Sequence, residues 1–159
     1  MSKIKLARID SRLSHGKLVK IWSKELGINT VIIANDSLQG DDFRQKLMDL
    51  TIPDKVACYY LKLSDIKGFL DSHYEDVFLI VENARDLEQI KDAGVIIDEI
   101  NIGIIHMAIG KKALTEEVAV DKEDLRIFKE FLDGGSDIYV RKSPYSQRME
   151  LDYLLNSQK

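Results

Sequence analysis

The sequence predicts an α/β fold, an open and mainly parallel sheet of about seven strands with helices on both faces, in a single domain over residues 1–159. Short runs rich in valine, isoleucine and leucine alternate from end to end with segments of helical periodicity. Several of these runs are almost wholly apolar, as in parallel strands covered on both faces. Parallel neighbours need crossover connections, and the intervening helical segments supply them.

The predicted strands are the short apolar runs: Lys3–Ile9, Thr30–Ala34, Val56–Leu61, Val77–Val81, Glu99–Ile102, Val118–Val120 and Asp137–Arg141. The predicted helices alternate with them: Lys17–Leu26, Ser37–Leu50, Ser64–Ser72, Ala84–Ala93, Lys122–Leu132 and a terminal helix over Gln147–Asn156. Glycines follow three of the helix ends, at positions 27, 94 and 134. Ser37, Ser64 and Asp121 have the side-chain chemistry of N-caps.

Composition excludes several classes of function. The chain has 159 residues, of which 45% are hydrophobic and 31% charged, and a net charge of −4. This profile is that of a soluble globular domain, and the negative charge argues against binding nucleic acid or an anionic membrane through bulk electrostatics. We expect neither a secretory signal nor a membrane-spanning segment, because the first 20 residues lack an apolar core region and no apolar run is long enough to cross a bilayer. With one cysteine, Cys58, and no metal-ligand spacing among the three histidines, we expect a cytoplasmic protein without a disulfide or a bound metal.

The segment Ala7–Lys17, ARIDSRLSHGK, carries the candidate chemistry. It predicts the end of a strand, a turn and the start of a helix, with His15 beside Gly16. Backbone N–H groups at a helix start and guanidinium groups together suit a phosphate-sized anion, and neutral imidazole is a competent phosphoryl acceptor. His15 is therefore a candidate phosphorylated residue. On the residues alone, plainer roles stay open, since the histidine could simply cap a helix and Asp10 could pair with Arg12.

Other polar residues follow apolar runs at the edge of the sheet where ligands bind in such folds. Asn35 and Asp36 end the second predicted strand, Asn83 follows the fourth, and Asn101–Gly103 ends the fifth. Each of these residues also suits an ordinary turn.

The stretch Arg8–Val19, RIDSRLSHGKLV, closely resembles the motif RIDxRLxHGQV of the IIB components of the mannose–fructose–sorbose family of the bacterial phosphotransferase system. The resemblance extends over nearly the whole chain, through IIANDSL, VENARDLEQIKDAG, NIGIIHMAIGKKALTEEVAVDKED and VRKSP. The chain departs from the family pattern at three positions. Lys17 replaces the usual glutamine, Ser14 replaces an aliphatic residue, and Ile104 stands where a second glycine usually follows Gly103.

This resemblance implies a protein-N(pi)-phosphohistidine–sugar phosphotransferase without a cofactor. His15 would carry the phosphoryl group on Nδ1, taken from a phosphohistidine of a IIA protein or domain. It would pass the group to a hexose or amino sugar bound by membrane IIC and IID components, which would hold the protein at the inner face of the membrane. Which sugar is used, and whether the chain forms a homo-oligomer, stay open.

Within that scheme the phosphate contacts are assigned by residue chemistry. Arg12 is the first choice, because its planar fork binds two oxygens at once. Arg8, Ser14, Gly16 and Lys17 are the further candidates, the last three through an anion nest of backbone N–H groups around the histidine. A supporting loop role is assigned to four other residues: Asp10, Asn35, Asp36 and Asn83. Asp10 is expected to hold the loop or to orient Arg12.

Two other functions stay open. A IIB-like domain could report its phosphorylation state to a partner without transferring the phosphate to a sugar. A nucleotide- or phosphosugar-binding α/β enzyme is the second alternative, although GxxxxGK[ST] is absent and no GxGxxG follows the first strand.

Overall fold

A computed structural model describes residues 1–157, so Gln158 and Lys159, the end of the predicted domain, lie outside the described residues. The strands are β1 Ile4–Asp10, β2 Thr30–Ala34, β3 Ala57–Leu61, β4 Val77–Val81, β5 Glu99–Ile104, β6 Lys112–Ala113, β7 Ala119–Val120, β8 Asp137–Val140 and β9 Met149–Glu150. The helices are α1 Leu18–Leu26, α2 Asp36–Gln39, α3 Asp42–Asp49, α4 Ile66–Ser72, α5 Ala84–Asp92, α6 Lys122–Asp133 and α7 Leu151–Ser157. A 3-10 turn, Leu63–Asp65, precedes α4.

Seven strands form the main sheet in the order β3-β2-β4-β1-β5-β8-β9. All neighbouring pairs are parallel except β8 and β9. The central strand β1 lies between β4 and β5, and the chain leaves it toward one side of the sheet for β2 and returns to the other side for β5. The loop that follows β1 therefore lies at the carboxyl edge where the strand order reverses, which is the usual ligand position in open α/β sheets.

The strands send alternate side chains into two apolar layers, which confirms the prediction of helices on both faces. In β2, Val31 and Ile33 face the layer formed with α1 and α2, whereas Ile32 and Ala34 face the layer formed with α4 to α7. Trp22 of α1 and Phe128 of α6 are among the largest buried side chains of the two layers. Burial on both faces explains why the strand sequences are nearly continuous in apolar residues.

Two predicted elements are wrong in their placement. Val118–Val120 was expected as a strand of the main sheet, but Ala119 and Val120 form β7 of a separate antiparallel hairpin with β6. This segment meets the end of β5 only through a parallel bridge between Val118 and Ile105, within the described residues. The seventh strand is instead β9, which lies within the predicted terminal helix Gln147–Asn156 and pairs antiparallel with Tyr139 and Val140. A strand of two residues carries no readable periodicity, and its short antiparallel pairing covers the edge of β8.

Capping explains the other differences. The predicted helix Ser37–Leu50 is two helices, because the chain breaks at Gly40 and the Asp41 side chain accepts from the backbone N–H of Arg44 to begin α3. Asn35, rather than Ser37, caps α2. Ser64 lies within the 3-10 turn and caps no helix. Asp121 caps α6 as predicted, in a reciprocal capping box with Asp124.

The layered core gives a first test. Phe128 is fully buried and Phe43 in α3 is 71% exposed. We expect Phe128→Ala to lower the free energy of unfolding by about 3–5 kcal/mol, because it leaves a cavity in the core. Phe43→Ala, a matched change on the surface, is expected to alter it by less than about 0.5 kcal/mol. Urea titration followed by circular dichroism measures both values, and equal losses would contradict the assigned packing of α6.

Candidate active site

The loop between β1 and α1 is held in an unusual backbone conformation. Leu13 has a φ of 58°, a left-handed value that costs a leucine about 1–3 kcal/mol, and its side chain is fully buried. The Leu13 N–H donates to the carbonyl of Asp10 at 2.9 Å, and the Asp10 carboxylate accepts from the Arg12 N–H at 2.9 Å. Gly16, with a φ of 52°, makes a second left-handed turn before α1. These contacts turn the chain so that His15 lies over the end of β1.

The His15 ring is oriented by a direct hydrogen bond to Asp10. Nε2 of His15 lies 3.0 Å from Oδ2 of Asp10, whose side chain is fully buried, and the histidine side chain is 28% exposed. A carboxylate accepts hydrogen bonds, so Nε2 carries the proton and donates. The neutral ring then has its lone pair on Nδ1, and Nδ1 has no hydrogen-bond partner among residues 1–157. The free nucleophilic atom of the imidazole is therefore Nδ1.

Arg8 anchors Asp10 from beneath the loop. The Arg8 side chain is 1% exposed, and its Nε and Nη2 lie 3.3 and 3.1 Å from Oδ2 of Asp10. Its Nη1 donates to Oδ1 of Asn101 at 2.7 Å and to the carbonyl of Arg141 at 3.3 Å. Burial lowers the pKa of the Arg8 guanidinium, and the Asp10 carboxylate opposes that shift. Arg8 thus bonds through all three nitrogens to the protein itself.

A small cavity of about 160 Å³ opens beside His15. One side is apolar, formed by Leu18, Ile21, Trp22 and Ile104. The cationic side chains that line it are Arg8, Arg12, Lys17 and Lys142, with Ser143 beside the last of them. Since Arg8 is paired with Asp10, the exposed side chains of the other three give this cavity a positive rim on a protein of net charge −4.

The start of α1 lacks the usual caps. Lys17 occupies the N-cap position without a side-chain hydrogen bond to the helix, and no acidic residue lies in the first turn. By contrast, α2, α3, α5 and α6 each have an asparagine or aspartate cap. A helix N-terminus has unpaired N–H groups and a positive partial charge, so this one is available to an anion next to His15. Ser14 lies in the bend before this helix, with its hydroxyl buried and without a hydrogen-bond partner in the described chain.

Asn35, Asp36 and Asn83, the other predicted site residues, have structural partners outside the His15 loop. The side chains of Asn35 and Asn83 cap α2 and α5, and Asp36 accepts from the N–H of Leu63. Within residues 1–157, none of these three side chains hydrogen-bonds to the loop from Asp10 to Lys17. They shape the neighbouring loops at the same edge, and their assignment to the His15 loop stays a prediction.

Sequence reasoning missed several residues that the fold places at the site. Asn101 was noted only as a polar strand end, and Lys142 only as part of a resemblance, yet both lie against the His15 site. Gly103 permits the approach of Arg8, because a Cβ there would lie 2.2 Å from its guanidinium carbon. The rule for the carboxyl edge of the sheet had already collected Asn101 and Gly103 without a role, and it applies equally to Lys142, which directly follows β8.

The described part of the chain has no helix long and apolar enough to cross a membrane. Over the same residues, no three or more histidine, cysteine, aspartate or glutamate side chains cluster in a way that could hold a metal ion.

Comparison with known proteins gives a consistent result. Residues 4–159 match the family described as PTS system sorbose subfamily IIB component. The PTS system sorbose-specific EIIB component of Klebsiella pneumoniae is 34% identical over 142 residues, with 87% of each chain covered. The crystal structure of the IIBSor domain of the sorbose permease from Klebsiella pneumoniae has a TM-score of 0.87 at 30% identity, and covers 99% of this chain and 98% of that one. The likeness confirms the predicted fold class.

Some relatives are longer than this chain. The PTS system mannose-specific EIIAB component of Escherichia coli K12 is 30% identical over 156 residues, which is 96% of this chain and 48% of that protein. The chain therefore spans about half the length of these curated relatives.

The close approach of Gly103 to Arg8 yields a second test. We expect Gly103→Ala to lower the free energy of unfolding by about 1–3 kcal/mol, because the new methyl group displaces the buried guanidinium. Gly68→Ala in α4 is the control, since an added Cβ meets nothing within 4 Å and alanine favours a helix by about 0.5–1 kcal/mol. Urea titration compares the two variants. A Gly103→Ala protein as stable as the parent would show that Arg8 is not held where it is described.

Asp86, in the first turn of α5, predicts a pH dependence of stability. Burial, together with the nearby carboxylates of Glu82 and Asp36, raises the pKa of Asp86 to about 6. The folded protein thus holds this proton more tightly than the unfolded chain, whose aspartates titrate near pH 4. The resulting stabilisation is complete below about pH 4 and is lost as the pH rises through about 6.

Asp86→Asn removes this charge. Because Asp86 is partly exposed, we expect a gain of only about 1 kcal/mol in the free energy of unfolding at pH 7 and none near pH 4. Urea titrations at the two pH values measure the difference. A gain that is equal at both would trace the effect to something other than the Asp86 charge.

Proposed function

The chain belongs to the family of PTS system sorbose subfamily IIB components, and we propose that it accepts a phosphoryl group on Nδ1 of His15 and passes it to a sugar. EIIB components of this system are phosphotransferases in general. The observation that carries the proposal is the hydrogen bond from Nε2 of His15 to Asp10, which leaves the lone pair of Nδ1 free in a partly exposed ring. The donor is a phosphohistidine of a IIA protein, and the acceptor is a hexose or amino sugar held by membrane IIC and IID components.

In the first transfer, the Nδ1 lone pair of His15 attacks the phosphorus atom of the donor phosphohistidine. A new P–N bond forms, the donor P–N bond breaks, and its electron pair returns to the donor imidazole. His15 keeps its proton on Nε2, so the phosphorylated ring gains positive charge. Asp10 faces that proton at 3.0 Å and stabilises the charge without exchanging any atom.

Negative charge on the phosphoryl oxygens needs compensation on the other side of the ring. Arg12 and Lys17 line the cavity beside His15 with exposed cationic side chains, and the uncapped start of α1 adds unpaired N–H groups. In this arrangement Arg8 is a positioning residue, because its guanidinium is bonded to Asp10 and Asn101. The phosphate contacts are then Arg12, Lys17 and the backbone from Ser14 to Gly16.

In the second transfer, a sugar hydroxyl attacks phosphorus, the P–N bond to His15 breaks, and its electron pair returns to Nδ1. The hydroxyl proton is released to water. Both partners need access to the same exposed ring atom, so the IIA protein and the sugar-binding components dock one after the other.

Intact mass tests the acceptor. After incubation with phosphoenolpyruvate, enzyme I, HPr and the cognate IIA protein, we expect the chain to gain one acid-labile phosphate. The His15→Ala variant is expected to gain no phosphate, because it lacks the imidazole that accepts the phosphoryl group in this loop. His106→Ala is the matched control and is expected to retain it, since the contact of His106 with Ser11 uses its backbone N–H.

Three outcomes separate the alternatives. An unphosphorylated chain beside a phosphorylated IIA protein would refute the transfer mechanism. Phosphate that persists on His15→Ala would move the acceptor to another residue, with His106 the first to test. Phosphate that is taken up but never reaches any sugar in membranes containing IIC and IID components would favour a regulatory module.

A further inference from the structure

Lys142, which the sequence motif does not contain, shares the cavity beside His15. It follows β8 and lines the cavity together with Arg12 and Lys17. Its Nζ lies 3.0 Å from Oε1 of Glu117, in the turn before β7. The Lys142 side chain is 59% exposed and the Glu117 side chain is 39% exposed, so this is a weak and easily exchanged surface ion pair.

Lys142 differs from the other cations of the rim by having a carboxylate partner. Within residues 1–157, neither Arg12 nor Lys17 forms an ion pair, and the buried Arg8 is fixed to Asp10. A phosphoryl group carries about −1.5 to −2 charges and three acceptor oxygens, whereas Glu117 offers a single negative charge. When a phosphoryl group enters the cavity, it competes with Glu117 for the same flexible ammonium group.

We propose that Lys142 exchanges Glu117 for the phosphoryl group when His15 is phosphorylated. This inference rests on the proposed function for its phosphoryl group, and it adds a phosphate-binding residue together with a change at the surface. No covalent step is involved, because one ion pair is replaced by another.

The exchange alters a surface next to the acceptor. Glu117 and Ile104 both line a second cavity of about 260 Å³, and Ile104 also lines the cavity beside His15. Met107, which is 61% exposed, lies on the wall of the second cavity. Once Lys142 turns to the phosphoryl group, Glu117 is left as an unpaired carboxylate beside an apolar side chain. The phosphorylated and unphosphorylated forms therefore present different charges to the partners that dock around His15.

The test uses a small phosphoryl donor, so that it does not depend on a IIA protein. The full chain is equilibrated with phosphoimidazole and excess imidazole, and the phosphorylated fraction is measured by intact mass. In this exchange the donor P–N bond breaks and the P–N bond to His15 forms, with imidazole as the leaving group. The ratio of the two forms gives an equilibrium constant for each variant.

We expect Lys142→Gln to lower this constant by about three- to tenfold, because the phosphoryl group loses a cation. Glu117→Gln is expected to raise it by about two- to threefold in the parent chain, because Lys142 no longer has a competing partner. In the Lys142→Gln chain, Glu117→Gln is expected to have no effect. Lys129→Gln in α6 makes the same charge change away from the cavity and is expected to leave the constant unchanged. Thermal unfolding of each variant verifies that it is folded.

The double variant distinguishes exchange from a general charge effect. An effect of Glu117→Gln that is the same in both chains would overturn the exchange, as would a Lys142→Gln protein that behaves like Lys129→Gln. Failure of the parent chain to take phosphate from phosphoimidazole would overturn the acceptor role of His15 and this inference with it. Uptake from phosphoimidazole without uptake from a IIA protein would overturn the proposed function and leave the exchange testable.

Discussion

The buried ion pair between Arg8 and Asp10 is the interaction on which the geometry of the site depends. Both side chains are almost completely shielded from water, so each would be very costly to bury alone. Asn101 and the carbonyl of Arg141 satisfy the remaining guanidinium donors, and Gly103 leaves the space that the guanidinium fills. Through these bonds the Arg8 guanidinium connects three neighbouring strands, β1, β5 and β8, to the Asp10 carboxylate. That carboxylate in turn fixes the loop through Arg12 and the ring through His15.

This arrangement explains how a strained loop is retained. A left-handed leucine is unfavourable, but the burial of Leu13 and the bonds to Asp10 on both sides of it hold that conformation. The strain directs the next residues outward, so that His15 is partly exposed while its orienting partner is not. A histidine held in this way loses little conformational freedom when a reacting group arrives, which favours transfer between two weakly docked proteins.

The sequence predicts the outline of this site better than its connections. The strand alternation and the motif around His15 were sufficient for the fold class and for the position of the loop. The contact between Asp10 and His15 was not anticipated. It depends on the left-handed turn at Leu13, and no sequence signal predicts that turn. Asn101 is distant from Arg8 in the chain, and the pairing of β1 with β5 places the two residues side by side. The pairing of β5 with β8 then brings Lys142 to the same cavity. Likewise, Gly40 was an available signal for the break in the helix Ser37–Leu50, whereas a strand as short as β9 leaves no pattern to detect.

The charges around His15 divide into two groups with different physical properties. Arg8 and Asp10 are buried and bonded at every polar atom, so they set geometry and respond little to a change of charge nearby. Arg12, Lys17 and Lys142 are exposed on flexible side chains, so they can rearrange as a phosphoryl group comes and goes. A carrier has to bind its phosphoryl group firmly enough to accept it and loosely enough to release it. Under the proposed function, the rigid charges lie behind the imidazole and the mobile charges lie in front of it, and this arrangement meets both requirements. The rigid charges keep the ring fixed. The cost of recruiting Lys142 from Glu117 limits how tightly the phosphoryl group is held.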